Sequence, residues 1–180
     1  MTRTVLDSIE EALGVLGTPE RLLRLANGRA PTGLERVLHL CRRFPRVARQ
    51  LQVRHAQRPT LVIQDEHDAQ DLIHALLRVD FDDVRPESWA PEYAGKSSRV
   101  DFLLKDEQLV LEQKHAHDGK RDIGGELIID IKRYAEHPHC RTLVCFVYDP
   151  DHRLPNPAGI ERDLTRKHGE LDVVCVVAPT

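Results

Sequence analysis

No apolar run in this 180-residue chain approaches the ~20 consecutive residues a membrane helix needs, so no such helix is expected. The first residues, Met1 to Asp7, lack the apolar stretch of a secretion signal, and a cytoplasmic location is the expectation. Cysteine is scarce: Cys41, Cys140, Cys145 and Cys175 form no C-x-x-C pair, and the last two sit within apolar strand-like runs. Reduced, buried thiols fit that pattern better than a disulfide framework. Internal repeats and low-complexity tracts are absent, and nothing resembles a dedicated base-reading module. Excess charge of one sign is lacking too. A net charge of -3 neither demands nor excludes nucleic acid, so what matters is its local distribution. What is there suits a soluble globular domain with an appendage, with 41% hydrophobic residues and length enough for a core.

The chain is organised around residues 99–114. Two apolar runs, 100–104 and 109–111, flank a polar tetrad at 105–108, which reads as a β-hairpin. With a two- or four-residue loop centred on Asp106 and Glu107, Asp101 falls opposite Glu112 and Arg99 opposite Lys114. Opposed side chains of an antiparallel pair sit roughly 4.5–5.5 Å apart at Cβ. Two carboxylates that close repel each other, and a divalent cation between them reverses the sign. Alternation places Glu112 and Lys114 on one face and turns Gln113 away.

Two acids and an ammonium at one spot suit phosphodiester hydrolysis. Oxygen ligands hold Mg²⁺ while leaving room in its shell for water and a substrate phosphate, and Mn²⁺ can stand in for it. The ion polarises a phosphoryl oxygen and acidifies a bound water. A neighbouring lysine orients or deprotonates that water, or neutralises developing charge. The competing reading is chance, because charged residues make up 31% of the chain.

At these residues the chain resembles the PD-(D/E)XK nucleases, which share the restriction-endonuclease-like fold. Asp101 matches the motif's aspartate, and Glu112-Gln113-Lys114 matches its (D/E)-x-K. Residues 68–77 ahead of the hairpin and 127–134 after it resemble the corresponding runs of such domains in bacterial defence proteins. The likeness spans about residues 59–179; Val100 stands where a proline is common. The resemblance implies an αβββαβ core and a metal-dependent nuclease. It also implies a further metal ligand in the Gln113 backbone carbonyl, and an extra acid from the first core helix, for which Glu66 and Asp71 both stay open. Plain N-terminal capping charge is the alternative for those two.

Residues 1–58 read as an N-terminal helical segment ahead of a nuclease domain at 59–180. Thr32-Gly33-Leu34-Glu35 fits a capping box opening a helix with Val37, Leu38, Leu40 and Cys41 inward, and Pro45 is positioned to kink or split it. Arg42, Arg43, Arg46, Arg49, Arg54 and Arg58 form either a phosphate-tracking surface or a solvated face. Residues 60–63 are a connector or short edge strand. A helix starts at Asp65 with Leu72, Ile73, Leu76 and Leu77 on one side, and a first strand or its approach lies near Asp83-Val84-Arg85.

Lys96, Ser97 and Arg99 before the hairpin, and Lys120 and Arg121 after it, are the candidates for contact with the nucleic-acid backbone. His115 and His117 face away from Lys114, which argues against zinc. A second core helix spans residues 122–136, with Ile123, Leu127, Ile131 and Tyr134 along one side; Asp130 and Tyr134 either point to the site or, for Tyr134, fill the core. Glu126 stands where the resembled domains carry glutamine, which leaves its role open. Residues 142–148 and 172–177 read as buried strands, separated by a helix capped by Asn156-Pro157 and running to about Gly169.

The whole is an α/β domain with a mixed sheet flanked by helices. Its expected function is Mg²⁺-dependent cleavage of DNA, with RNA not set aside, in bacterial defence. The expected partners are a second copy or a defence complex, and no membrane. The alternative is an inactive nucleic-acid-binding or assembly module on the same fold.

Overall fold

A computed structural model describes residues 30–89, 99–116 and 122–179. Its centre is a six-stranded mixed sheet in the order β1-β2-β3-β4-β6-β5. The strands are β1 (Val84–Trp89), β2 (Arg99–Leu104), β3 (Leu109–His115), β4 (Thr142–Asp149), β5 (Lys167–His168) and β6 (Leu171–Pro179). Strands β3, β4 and β6 run parallel, and the outer pairings are antiparallel. Helices α1 (Gly33–Gln52) and α2 (Glu66–Asp80) cover one face, while α3 (Ile123–Tyr134) and α4 (Pro157–Leu164) cover the other. No helix among the described residues is long and apolar enough to cross a membrane.

Strand β4 explains the three-layer arrangement. Val144, Phe146 and Tyr148 join the core under α1 and α2, and Leu143, Cys145 and Val147 join the core under α3 and α4. An apolar run with no polar alternation has two faces to bury, and helices on both sides satisfy it. Although α1 precedes the boundary expected at residue 58, its Val37, Leu40, Cys41, Phe44 and Ala48 lie in the first of these cores. The Phe44 ring meets Phe146 and Tyr148 edge-on, with centroids 5.3 and 5.0 Å away.

Each helix start is fixed by its own sequence. The Thr32 hydroxyl accepts the Glu35 N–H at 3.3 Å, and the Glu35 carboxylate accepts the Thr32 N–H at 2.8 Å, completing the expected capping box. Asp65, Asp122 and Asn156 cap α2, α3 and α4 one way, each side chain accepting the N–H three residues ahead. Helix α1 runs unbroken through the buried Pro45, so of the kink or split left open for it the split does not occur. Packing of the surrounding apolar stripe outweighs the one ladder bond a proline removes.

Residues 60–63 form a connector with no strand, the first of the two readings left open for them. Two boundaries differ from the sequence expectation. The first strand is full length, and Pro86 is tolerated because β1 is the sheet edge. The last helix stops at Leu164 rather than near Gly169. Beyond it the Thr165 hydroxyl accepts the Cys175 N–H at 2.9 Å, tying the chain to β6, and Gly169, at φ +65°, turns β5 back onto that strand.

Candidate active site

The hairpin of β2 and β3 closes through a four-residue turn in which the Gln108 N–H donates to the Lys105 carbonyl at 3.1 Å. Gln108 itself has φ +49°. Its carbonyl in turn accepts the N–H groups of Arg141 and Thr142, at 2.8 and 3.1 Å, which locks the turn to the start of β4. The paired residues are Leu104–Leu109, Leu103–Val110 and Phe102–Leu111. One step further, that register puts Asp101 opposite Glu112, as the loop length predicted. Here the ladder gives way to a side chain: Asp101 Oδ2 accepts the Gln113 N–H at 2.8 Å.

Around this point the structure gathers side chains from four elements. Lys114, 9% exposed, donates to Glu112 Oε1 at 2.6 Å. Its Nζ also lies 3.5 Å from Asp130 Oδ2 on α3 and 3.7 Å from Glu66 Oε1 on α2. Glu112, 2% exposed, receives the Tyr134 hydroxyl on Oε2. Arg133 pairs with Asp130 Oδ1 and comes within 3.9 Å of Glu112 Oε1. Glu66 opens α2, and its other oxygen accepts the His115 N–H at 3.4 Å, so this helix N-terminus is aimed at the end of β3.

Burial sets the electrostatics. Desolvation raises the Asp101 carboxyl above its ordinary range, against the pull of the Gln113 N–H and of Lys114. Glu112 is raised by burial first and by the Asp101 charge second. Burial works against the Lys114 charge, yet Glu112, Asp130 and Glu66 together raise its pKa and keep it an ammonium. The Tyr134 phenol is pushed up by burial and by the carboxylate it serves. Among the described residues, four carboxylates (Glu66, Asp101, Glu112, Asp130) and two cations (Lys114, Arg133) meet here.

Asp101, Glu112, Lys114 and Glu66 are thus brought together. Asp71 is not: it lies exposed on α2, roughly 140° around the helix from Glu66 at 100° per residue. Gln70, on the Glu66 side, bonds Asp101 instead. Gln113 has its side chain fully buried on the opposite face. His115 stacks on Tyr148 at 5.5 Å, and the second histidine of the pair, His117, lies outside the described residues. So do Lys96, Ser97, Lys120 and Arg121, and of Arg99 only the backbone is described. Arg42, Arg46, Arg49, Arg54 and Arg58 are exposed on or just after α1, and Arg43 is half-buried. Tyr134 fills the core and serves the site at once, an outcome the apolar stripe left open. Arg133 had no sequence signal; for Asp130 the signal was an acid three residues after Leu127, inside the inward stripe.

A mixed sheet covered on both faces, with two acids and a lysine on its central hairpin, defines a restriction-endonuclease-like domain of PD-(D/E)XK type. Residues 35–180 match the DpnII-MboI restriction endonuclease family model (REase_DpnII-MboI), and the chain belongs to that family. It is therefore a DNA-cleaving nuclease of bacterial defence, in a family that typically uses divalent metal ions. No curated protein and no solved structure gives a significant match.

Proposed function

We propose that this nuclease cuts DNA with Mg²⁺ held between Asp101 and Glu112, and that Lys114 is its catalytic lysine. The observation that carries this reading is the convergence of Asp101, Glu112 and Glu66 on Lys114 in a largely buried cluster, where a divalent ion would balance the carboxylate charge that burial disfavours. The donor set fits the ion: carboxylate oxygens from Asp101 and Glu112, the main-chain carbonyl of Gln113, and Glu66 at the rim. Among the described residues no three acidic, histidine or cysteine side chains already converge into a closed cage. Mg²⁺ asks for less, since it keeps several waters and takes one or two carboxylates.

A bound ion of this kind lends positive charge to the phosphate and acidifies a water. Asp101 serves it with an oxygen fixed by the Gln113 N–H. Glu112 must turn part of its charge from Lys114 toward the ion. The Lys114 ammonium then donates to the attacking water or to a phosphate oxygen as charge builds there. Lys96, Ser97, Arg99, Lys120 and Arg121, close in sequence to the hairpin, are assigned to the DNA backbone.

Base selection we assign to a second copy or to another subunit of a defence complex, because no run of this sequence resembles a dedicated base-reading module. A cytoplasmic setting agrees with the four free, buried cysteines. The test is cleavage of supercoiled plasmid DNA in Mg²⁺ and in Mn²⁺ by wild type, Asp101→Ala and Lys114→Ala. Wild type should cut, and each variant should fall by about a hundredfold or more. Equal background in all three would end the assignment.

A further inference from the structure

We propose that Asp130, on α3, is a positioning residue that keeps Lys114 aimed at the reacting phosphate once Glu112 turns to the metal. This inference rests on the metal and lysine roles proposed above.

The Lys114 ammonium is almost enclosed, and three carboxylates offer it a countercharge: Glu112 at 2.6 Å, Asp130 at 3.5 Å and Glu66 at 3.7 Å. Glu112 and Glu66 belong to the proposed metal donor set, and coordination draws charge out of both. Asp130 is the remaining acid. It is 6% exposed and comes from a different layer of the fold, so it does not move with the hairpin.

The partners of each acid separate ligands from supports. Asp101 is held by two neutral donors, the Gln113 N–H and the Gln70 amide. Asp130 has a cation on each oxygen, Arg133 on Oδ1 and Lys114 on Oδ2. With both oxygens taken by positive groups it has little charge left to offer a metal. It is held in place instead, because Arg133 is itself stacked over the Tyr134 ring at 5.0 Å. The resulting chain of contacts runs from α3 through Arg133 and Asp130 to the lysine. Without Asp130, the lysine would follow Glu112 or swing toward Glu66 when the ion arrives.

Three measurements on wild type, Asp130→Asn and Asp130→Glu test this. They are single-turnover cleavage of plasmid DNA in Mg²⁺, Mn²⁺ binding by calorimetry without DNA, and DNA binding in Ca²⁺. For Asp130→Asn the cleavage rate should fall about tenfold or more, the scale set by misplacing a catalytic group by an ångström. Mn²⁺ affinity and DNA affinity should each stay within about threefold of wild type. Asp130→Glu, which restores the charge on a longer arm, should recover part of the rate, and it carries the test if the asparagine variant does not fold. A loss of Mn²⁺ affinity that matches the loss of rate would make Asp130 a ligand and overturn the proposal. Cutting at the wild-type rate by both variants would overturn it as well, while leaving the nuclease reading intact. A wild type that leaves DNA uncut fails that earlier reading and takes this inference with it.

Discussion

Replacing Tyr134 by phenylalanine removes one hydroxyl and almost nothing else. The ring stays in the core formed with Ile131, Leu127 and Leu143, so no cavity opens. What is lost is the donor to Glu112 Oε2, on a carboxylate that solvent hardly reaches. Leaving that buried oxygen without its donor costs about 1–3 kcal/mol, and here no water replaces it easily. Taking about 2 kcal/mol, and about 2–4 °C per kcal/mol for a chain of this size, the melting temperature should drop by roughly 4–8 °C. The measurement is thermal unfolding followed by circular dichroism in EDTA, repeated in saturating Mn²⁺. Metal bound at Glu112 takes over the oxygen that the phenol satisfied, so the gap between variant and wild type should narrow when the ion is present. A drop below about 1 °C in EDTA would mean the phenol does not serve Glu112. A gap of the same size with and without Mn²⁺ would mean that the ion does not sit on this carboxylate.

Raised carboxyls make the metal-free protein lose stability as the pH rises from about 4 to about 8. Glu112 and Asp101 hold protons in the folded state that the unfolded chain releases near its ordinary values of 4.5 and 3.8, so raising the pH above that range favours unfolding until the folded values are passed. Stability in EDTA should therefore decline across that window, with a shallower slope for Glu112→Gln. Lys114, raised in the folded state, contributes stability that stays constant there and is lost only at still higher pH. Mn²⁺ binding should show the opposite trend, tightening as the pH rises, because the ion displaces those protons; a flat calorimetric profile would contradict the ligand assignment. Glu66→Gln should weaken Mn²⁺ binding about tenfold or more, whereas Asp71→Asn should leave it unchanged. Equal losses would show that the first-helix acid was chosen wrongly.

The hairpin half of the site could be read from the sequence because it is local. Once the loop length is set, the pairing of 102–104 with 109–111 follows, and a period of two decides which side chains share a face. Asp101, Glu112 and Lys114 needed no knowledge of the rest of the chain. Helix starts were legible for the same reason, since Thr32, Asp65, Asp122 and Asn156 each bond a group three residues ahead. The end of α4 was not, because it is decided by a bond from Cys175, ten residues away, on a strand whose position depends on the whole sheet.

The α2 and α3 half of the site belongs to that second kind. Glu66 and Asp71 are equally good helix-start acids by sequence, and only the angle at which α2 meets β3 turns the first toward Lys114 and the second toward solvent. Periodicity showed that Asp130 and Tyr134 share the inward side of α3, yet it could not tell a core position from a site position. The distinction depends on what β3 presents beneath them. Under Leu127 and Ile131 the sheet offers Val110, Leu143 and Cys145, and those positions stay apolar. Under Tyr134 and Asp130 it offers Glu112 and Lys114, which convert two buried polar side chains from a liability into the fixed wall of a charged site. A buried acid inside an otherwise apolar helical stripe is thus itself a sequence signal: burial requires a cation, and the lysine of the hairpin motif was a cation already expected at the site.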